Sequence, residues 1–257
     1  MTASPGRARV SDVVVEIGGL PIQLRCGDPA FVQQIGERYA GYVTSSSKPS
    51  FHFDIELAPR GALSGDEDVR VTWDSGRWLM QRGDFRAEWY PAAAHGTIHQ
   101  TINPFSLDSV LRIVHTLLLA GKGGFLLHAS SAIRNGRAFL FSGVSGAGKT
   151  TMARLAPPDA ALLTDEISYV TRQGSGYFAV GTPFYGELAR AGENLRAPSR
   201  LCTYSPKARK IRSSRWPAPR PSAGCWETSC FSREIPNSCA WSSTRQWISP
   251  DACRCAA

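Results

Sequence analysis

The side chains with the most chemical potential lie in residues 137–166, RAFLFSGVSGAGKTTMARLAPPDAALLTDE. Gly143, Val144, Ser145, Gly146, Ala147, Gly148, Lys149 and Thr150 match G-x-x-x-x-G-K-[ST], the phosphate-binding loop. The spacing follows from the chemistry. Glycines let backbone N–H groups converge on phosphate oxygens and permit the positive φ angles that a tight loop needs. Lys149 would reach the β- and γ-phosphates, the Thr150 hydroxyl would ligate Mg²⁺, and Thr151 is counted with them among the nucleotide-binding residues. Mg·ATP is the expected ligand. Four fixed positions arise by chance in roughly one chain in a hundred of this size, and a glycine-rich surface turn is the plain alternative. The flanks favour the loop: residues 138–141 are an apolar strand-like run, and residues 151–155 begin a helix whose N-terminus would face the anion.

A carboxylate source follows closely. Pro157-Pro158 must end that helix, and residues 160–163 (AALL) then read as a buried strand that delivers Asp165-Glu166 sixteen residues after Lys149. A carboxylate at the end of the next strand can sit beside the phosphates, where it would hold Mg²⁺ or orient a nucleophile.

Positioning these groups requires the elements around them. Residues 13–17 and 22–25 suggest a hairpin turning at Gly18-Gly19, and Asp28 could cap a helix over 29–42 with Phe31, Ile35 and Tyr39 at helical spacing. Residues 51–57 alternate strictly, which makes a strand with one buried face and puts His52 on the other as a surface histidine. Further strands are expected at 69–73, 78–81 and 85–90. A helix over 106–119 would carry Leu107, Leu111, Val114 and Leu118 on one face. Asn135-Gly136 is a type I′ hairpin signal, so the strand beginning at Phe125 turns back antiparallel into the strand before the loop.

Composition narrows the partners. The net charge of +8 would suit nucleic acid or a membrane surface, but from Pro198 onward there are ten basic residues against three acidic ones. The rest is nearly neutral, so neither partner is expected. Six of the seven cysteines also lie beyond residue 200, without a C-x-x-C pair to support a zinc site. The longest apolar run, 110–120, is broken by Arg112 and His115, and no secretory signal is visible. A cytoplasmic protein is expected, and a homo-oligomer stays open.

The combination of LLHAS, an NG hairpin, GVSGAGKT, a very short helix, LLTDE and GTPF resembles the HPr kinase/phosphorylase superfamily, whose nucleotide core is shared with ATP-dependent phosphoenolpyruvate carboxykinase. The likeness is to its serine-kinase-related members and covers about residues 118–197. It implies an α/β fold with a mixed sheet around a P-loop core, joined to an α+β N-terminal region. It also implies that Asp165 binds metal or acts as base towards an acceptor serine, that Glu166 fills the second acidic position as a metal ligand, and that His128 lies near the phosphates. A structural His128 at a strand end is the open alternative. Thr151 stands where HPr kinases commonly carry glutamate, so HPr itself is not implied as substrate. The family's later helices are not recognisable.

The expected organisation is therefore an N-terminal α+β region over 1–117, a nucleotide core over 118–198 and an irregular tail over 199–257. The expected function is ATP-dependent phosphoryl transfer to a Ser/Thr hydroxyl of a small acceptor protein or peptide. A non-catalytic ATP-binding module, an inactive remnant of such a kinase and a small-molecule kinase are the alternatives. In the tail Cys, Trp, Ser, Arg and Pro rise while Leu, Val and Asp fall, as expected of a shifted reading frame. Joining each third codon base to the next two turns residues 201–205 into Leu/Met/Val, Tyr/His, Leu/Ile/Val and, for a TCN serine codon, Leu/Phe. The gene should show a family-like alternative frame there; its absence on sequencing would remove this reading.

Overall fold

Alternation of apolar and polar residues builds the first sheet. The protein's structure, a computed structural model, describes residues 11–45, 48–59, 68–205 and 210–214. Strands β1 (Ser11–Ile17) and β2 (Leu20–Cys26) pair antiparallel across Gly18-Gly19. Next come β3 (Phe51–Leu57), β4 (Arg70–Asp74), β5 (Arg77–Arg82), β6 (Phe85–Tyr90) and β7 (His95–Gln100). Their order in the sheet is β1-β2-β3-β7-β6-β5-β4, with β3 parallel to both β2 and β7. Phe53 and Ile55 point into the core while His52 and Asp54 face outward, as the period of two requires.

Helix α1 (Pro29–Arg38) starts where Asp28 Oδ1 accepts from the backbone N–H groups of Ala30 (2.9 Å) and Phe31 (3.2 Å). It buries Phe31 and Ile35, as expected, but stops short of residue 42 and tightens into a 3₁₀ turn over Ala40–Tyr42. The cause is the pair of tyrosines three residues apart. Tyr39 donates to Asp108 and Tyr42 to the Gly192 carbonyl (2.9 Å), and a three-residue turn aims both inward.

Helix α2 (Pro104–Ala120), capped by Asn103, carries Leu107, Leu111 and Val114 into the core. It is buried more widely than its apolar stripe requires, because Ser106, Asp108 and His115 are also enclosed. The expected division between residues 117 and 118 falls inside this helix.

The second half is a closed structure. Its elements are β8 (Phe125–Arg134), β9 (Arg137–Ser142), α3 (Lys149–Arg154), β10 (Ala161–Thr164), β11 (Ile167–Gln173), β12 (Gly176–Val180), β13 (Arg196–Ser205) and β14 (Lys210–Ser214). Strand β8 pairs with β9 through its second half and with β11 through its first; β11 pairs with β12, β12 with β13, and β13 runs parallel to β9. These five strands form a ring, with β10 and β14 attached outside it. Ala138, Leu140, Leu163, Val170, Tyr177, Ala179, Ala197 and Leu201 make up the small core of this unit. Asn135 (φ 50°) and Gly136 (φ 70°) make the expected I′ turn between β8 and β9. The fold is thus mixed α+β, rich in strands and poor in helix.

One expectation needs correcting. The chain does not become irregular at Ser199, because residues 199–203 of β13 pair with 138–142 of β9 and complete the ring. Ala197 and Leu201 fit its interior, and the Ser199 hydroxyl donates to the Tyr177 carbonyl. Residues 206–209 and 215–257, most of the expected tail, lie outside the described residues.

His115 is fully buried against Tyr169 (ring centroids 5.5 Å), and neither ring nitrogen has a hydrogen-bond partner among the described residues. Burial drives its pKa down to about 3. An unfolded histidine takes its proton near pH 6.5, so its stabilising contribution is complete above that pH and is lost as pH falls from about 6.5 towards 3. The loss is about 1.4 kcal/mol per pH unit. Urea denaturation at pH 7.0 and 5.5 should show a smaller decline for His115→Leu than for the parent chain.

Candidate functional site

The site is assembled by register. Strand β9 ends at Ser142, directly before the loop, and Ser142 pairs with Ala129 of β8. The neighbouring residue, His128, pairs with Ile167 of β11, and the Ala129 N–H donates to the Glu166 carbonyl at 3.0 Å. The loop and the acidic pair therefore flank the same two residues of β8, each about 4.8 Å of strand spacing away. The exposed His128 side chain lies between them.

The loop has the conformation its glycines suggest. Gly146 (φ 76°) and Gly148 (φ 89°) are left-handed, and Gly148 leads into the six-residue α3. Val144, Ser145 and Gly146 are exposed, while Gly143, Ala147, Gly148, Lys149 and Thr150 are half-buried. Thr151 faces solvent. The Ser130 hydroxyl donates to the Lys149 carbonyl at 2.7 Å and pins the start of α3 to β8. Lys149 Nζ donates to the carbonyls of Gly143 and Val144, both at 3.1 Å, so its ammonium spans the loop mouth. Desolvation lowers its pKa. Among the described residues no carboxylate pairs with it.

The acidic pair is held by a polar turn. Thr164 Oγ1 accepts from the backbone N–H groups of Glu166 and Ile167 and donates to the Phe184 carbonyl. Asp165 is only 2% exposed, and its two oxygens accept from the N–H groups of Gly186 and Leu188, each at 2.9 Å. Glu166 is freer, with a third of its side chain exposed, and Arg112 Nη2 lies 3.5 Å from its Oε2. Burial raises the Glu166 pKa and Arg112 opposes that, while Asp165 and Asp108 push in the same direction as burial. His128 is shifted down by desolvation, then by the positive charges of Lys149 and Arg112.

All the sequence-derived groups thus fall around one end of β8. Two contributors were missed. Arg112 had registered only as a break in an apolar run, although Asp108 and Arg112 at i, i+4 in an otherwise apolar helix do signal a polar seam. The amides of Gly186 and Leu188 left no trace in side-chain type. A β-carbon on Gly186 would lie 3.2 Å from Glu166 Oε2 and 3.4 Å from Asp165 Oδ2, so glycine there lets the turn approach both acids.

Residues 94–206 match a family model described as SynChlorMet cassette protein ScmC. The match covers less than half of the chain, yet contains the loop, the acidic pair, Arg112, and β13 beyond Ser199. No curated protein matches. No helix among the described residues is long and apolar enough to cross a membrane.

The charge of Arg112 should be felt on both sides of the site. It favours the Glu166 carboxylate and disfavours the His128 imidazolium, so Arg112→Met should move both titrations to higher pH. NMR titration of the two side chains measures this. Unchanged midpoints would place Arg112 outside the site's electrostatics.

Proposed function

We propose that Gly143 to Thr150 bind the phosphates of Mg·ATP, and that the chain is an HPr-kinase-like phosphotransferase acting on a Ser/Thr hydroxyl of a small protein or peptide. The observation that carries this is Lys149, an ammonium without a carboxylate partner among the described residues, stretched over a loop in which Gly146 and Gly148 are already left-handed. A buried or half-buried cation held only by carbonyls fits a site that receives an anion. The donors suit Mg²⁺ equally well: Thr150 offers a hydroxyl, and Asp165 and Glu166 offer hard carboxylate oxygens.

When bound, Mg·ATP supplies the transferable phosphoryl group and the metal offsets charge on it. The protein's part is position and proton handling. Loop amides and Lys149 hold the phosphates, and Glu166, raised by burial, can accept a hydroxyl proton near neutrality better than an ordinary carboxylate. With each oxygen already accepting one backbone amide, Asp165 fixes the turn that presents Glu166 and keeps a second lone pair on each oxygen for a metal. His128 is kept neutral at physiological pH by its surroundings and can donate or accept a hydrogen bond beside the loop.

A second reading, a nucleotide-binding module without transfer, is favoured by those same amide bonds to Asp165, which leave one acid of the pair less available to metal or acceptor.

Lys149→Ala should abolish Mg·ATP binding in calorimetry under either reading; unchanged affinity would refute the phosphate-loop assignment. Glu166→Gln separates the two. With γ-³²P-ATP and an acceptor protein, a kinase should lose roughly 10²- to 10⁴-fold in transfer rate while keeping ADP affinity. Asp165→Asn is the poorer test of chemistry, since its amide N–H₂ would meet the N–H of Gly186 or Leu188 and should lower thermal stability as well.

A further inference from the structure

On the first sheet, far in sequence from the loop, three metal-ligand side chains converge. We propose that His52, Asp54 and His95 form a binding site for a divalent transition metal of the zinc type. Strand pairing brings them together. His52 and His95 are direct partners in the parallel β3–β7 ladder, and Asp54, two residues along β3, shares their outward face. The His95 Nε2 lies 3.2 Å from Asp54 Oδ2, the two imidazole centroids are 4.7 Å apart at 45°, and one ligand atom from each residue lies within 4.8 Å of the others. Tetrahedral zinc with bonds near 2.1 Å separates its ligand atoms by roughly 3.3 Å. The His95–Asp54 pair already has that spacing, at 3.2 Å, and no ligand atom of the three lies more than 4.8 Å from another.

The chemistry of the set selects the ion. Two imidazoles and a carboxylate suit zinc and its borderline neighbours, whereas Mg²⁺ and Ca²⁺ prefer oxygen ligands. Three protein ligands on a partly exposed face leave the fourth position to water. Arg25, adjacent on β2, donates its Nε and Nη2 to the two Asp54 oxygens at 2.7 and 2.9 Å. That fork fixes the carboxylate, as a second layer around a metal does, and its charge limits the affinity.

A purely structural Arg25–Asp54–His95 network is the competing account, but it leaves His52 unexplained. Among the described residues the His52 ring has no hydrogen-bond partner and rests against another imidazole.

The test uses the full chain with its six C-terminal cysteines replaced by serine, so that thiolates cannot contribute. After chelator treatment, calorimetry with Zn²⁺ at pH 7.5 should show one equivalent bound, undisturbed by millimolar Mg²⁺. His52→Gln and His95→Gln should each weaken it at least about tenfold. Zn²⁺ should also raise the melting temperature of the parent and not that of His52→Gln, a substitution that removes no hydrogen bond and should leave the fold intact. No binding by the parent, or equal binding by the His52 and His95 variants, would overturn the proposal and leave a hydrogen-bonded patch.

Discussion

Asp108 is the buried charge on which the arrangement depends. It accepts from the Tyr39 hydroxyl and pairs with Arg38 of α1, and both members of the ion pair are about 5% exposed. Arg38 in turn lies 3.8 Å from the Tyr185 ring centroid, and one turn along α2 Arg112 faces Glu166 and packs over Phe184. A single polar seam on α2 therefore ties α1 to the 184–188 segment, whose amides hold Asp165. Loss of either partner in such a pair leaves an uncompensated charge away from water, at a cost of about 3–5 kcal/mol. Pairing is not complete, since Arg38 Nε and Nη1 and Arg112 Nε lack hydrogen-bond partners among the described residues. The seam is better understood as fixing geometry than as adding stability.

The ring of five strands does for the loop what the seam does for the acids. The loop has few restraints of its own: α3 is six residues long, and Val144 and Leu155 are largely exposed. Its position comes from β9, held between β8 on one side and β13 on the other, and from the Ser130–Lys149 bond. Closing the ring with β13 thus bears directly on the loop, because an unpaired β9 edge would leave residues 138–142 free to shift. This makes the stretch through residue 205 part of the strand ring that carries the loop, despite its unusual composition.

Much of this was legible in the chain. The hairpin at Gly18-Gly19, the Asp28 cap, strands β3 to β6, helix α2, the I′ turn at Asn135-Gly136 and the short α3 all have local causes, in period, cap or turn chemistry. The loop was legible for the same reason, since its chemistry is written in eight consecutive residues. Strand β7 (HGTIHQ) escaped because glycine and two histidines obscure its alternation, β12 because it is only five residues long, and β13 because proline, serine and arginine interrupt its apolar residues.

The sequence by itself determined most of the elements, the phosphate-loop motif and the acidic pair, because each depends on neighbours within a few residues. Only the tertiary structure decided what those groups meet. It gave both Asp165 oxygens to backbone amides 21 and 23 residues away and brought Arg112 to Glu166. It also set His52, an ordinary surface histidine by its own strand pattern, beside His95. Such pairings are fixed by ladder register and helix packing between distant segments, and no local pattern of side chains encodes them.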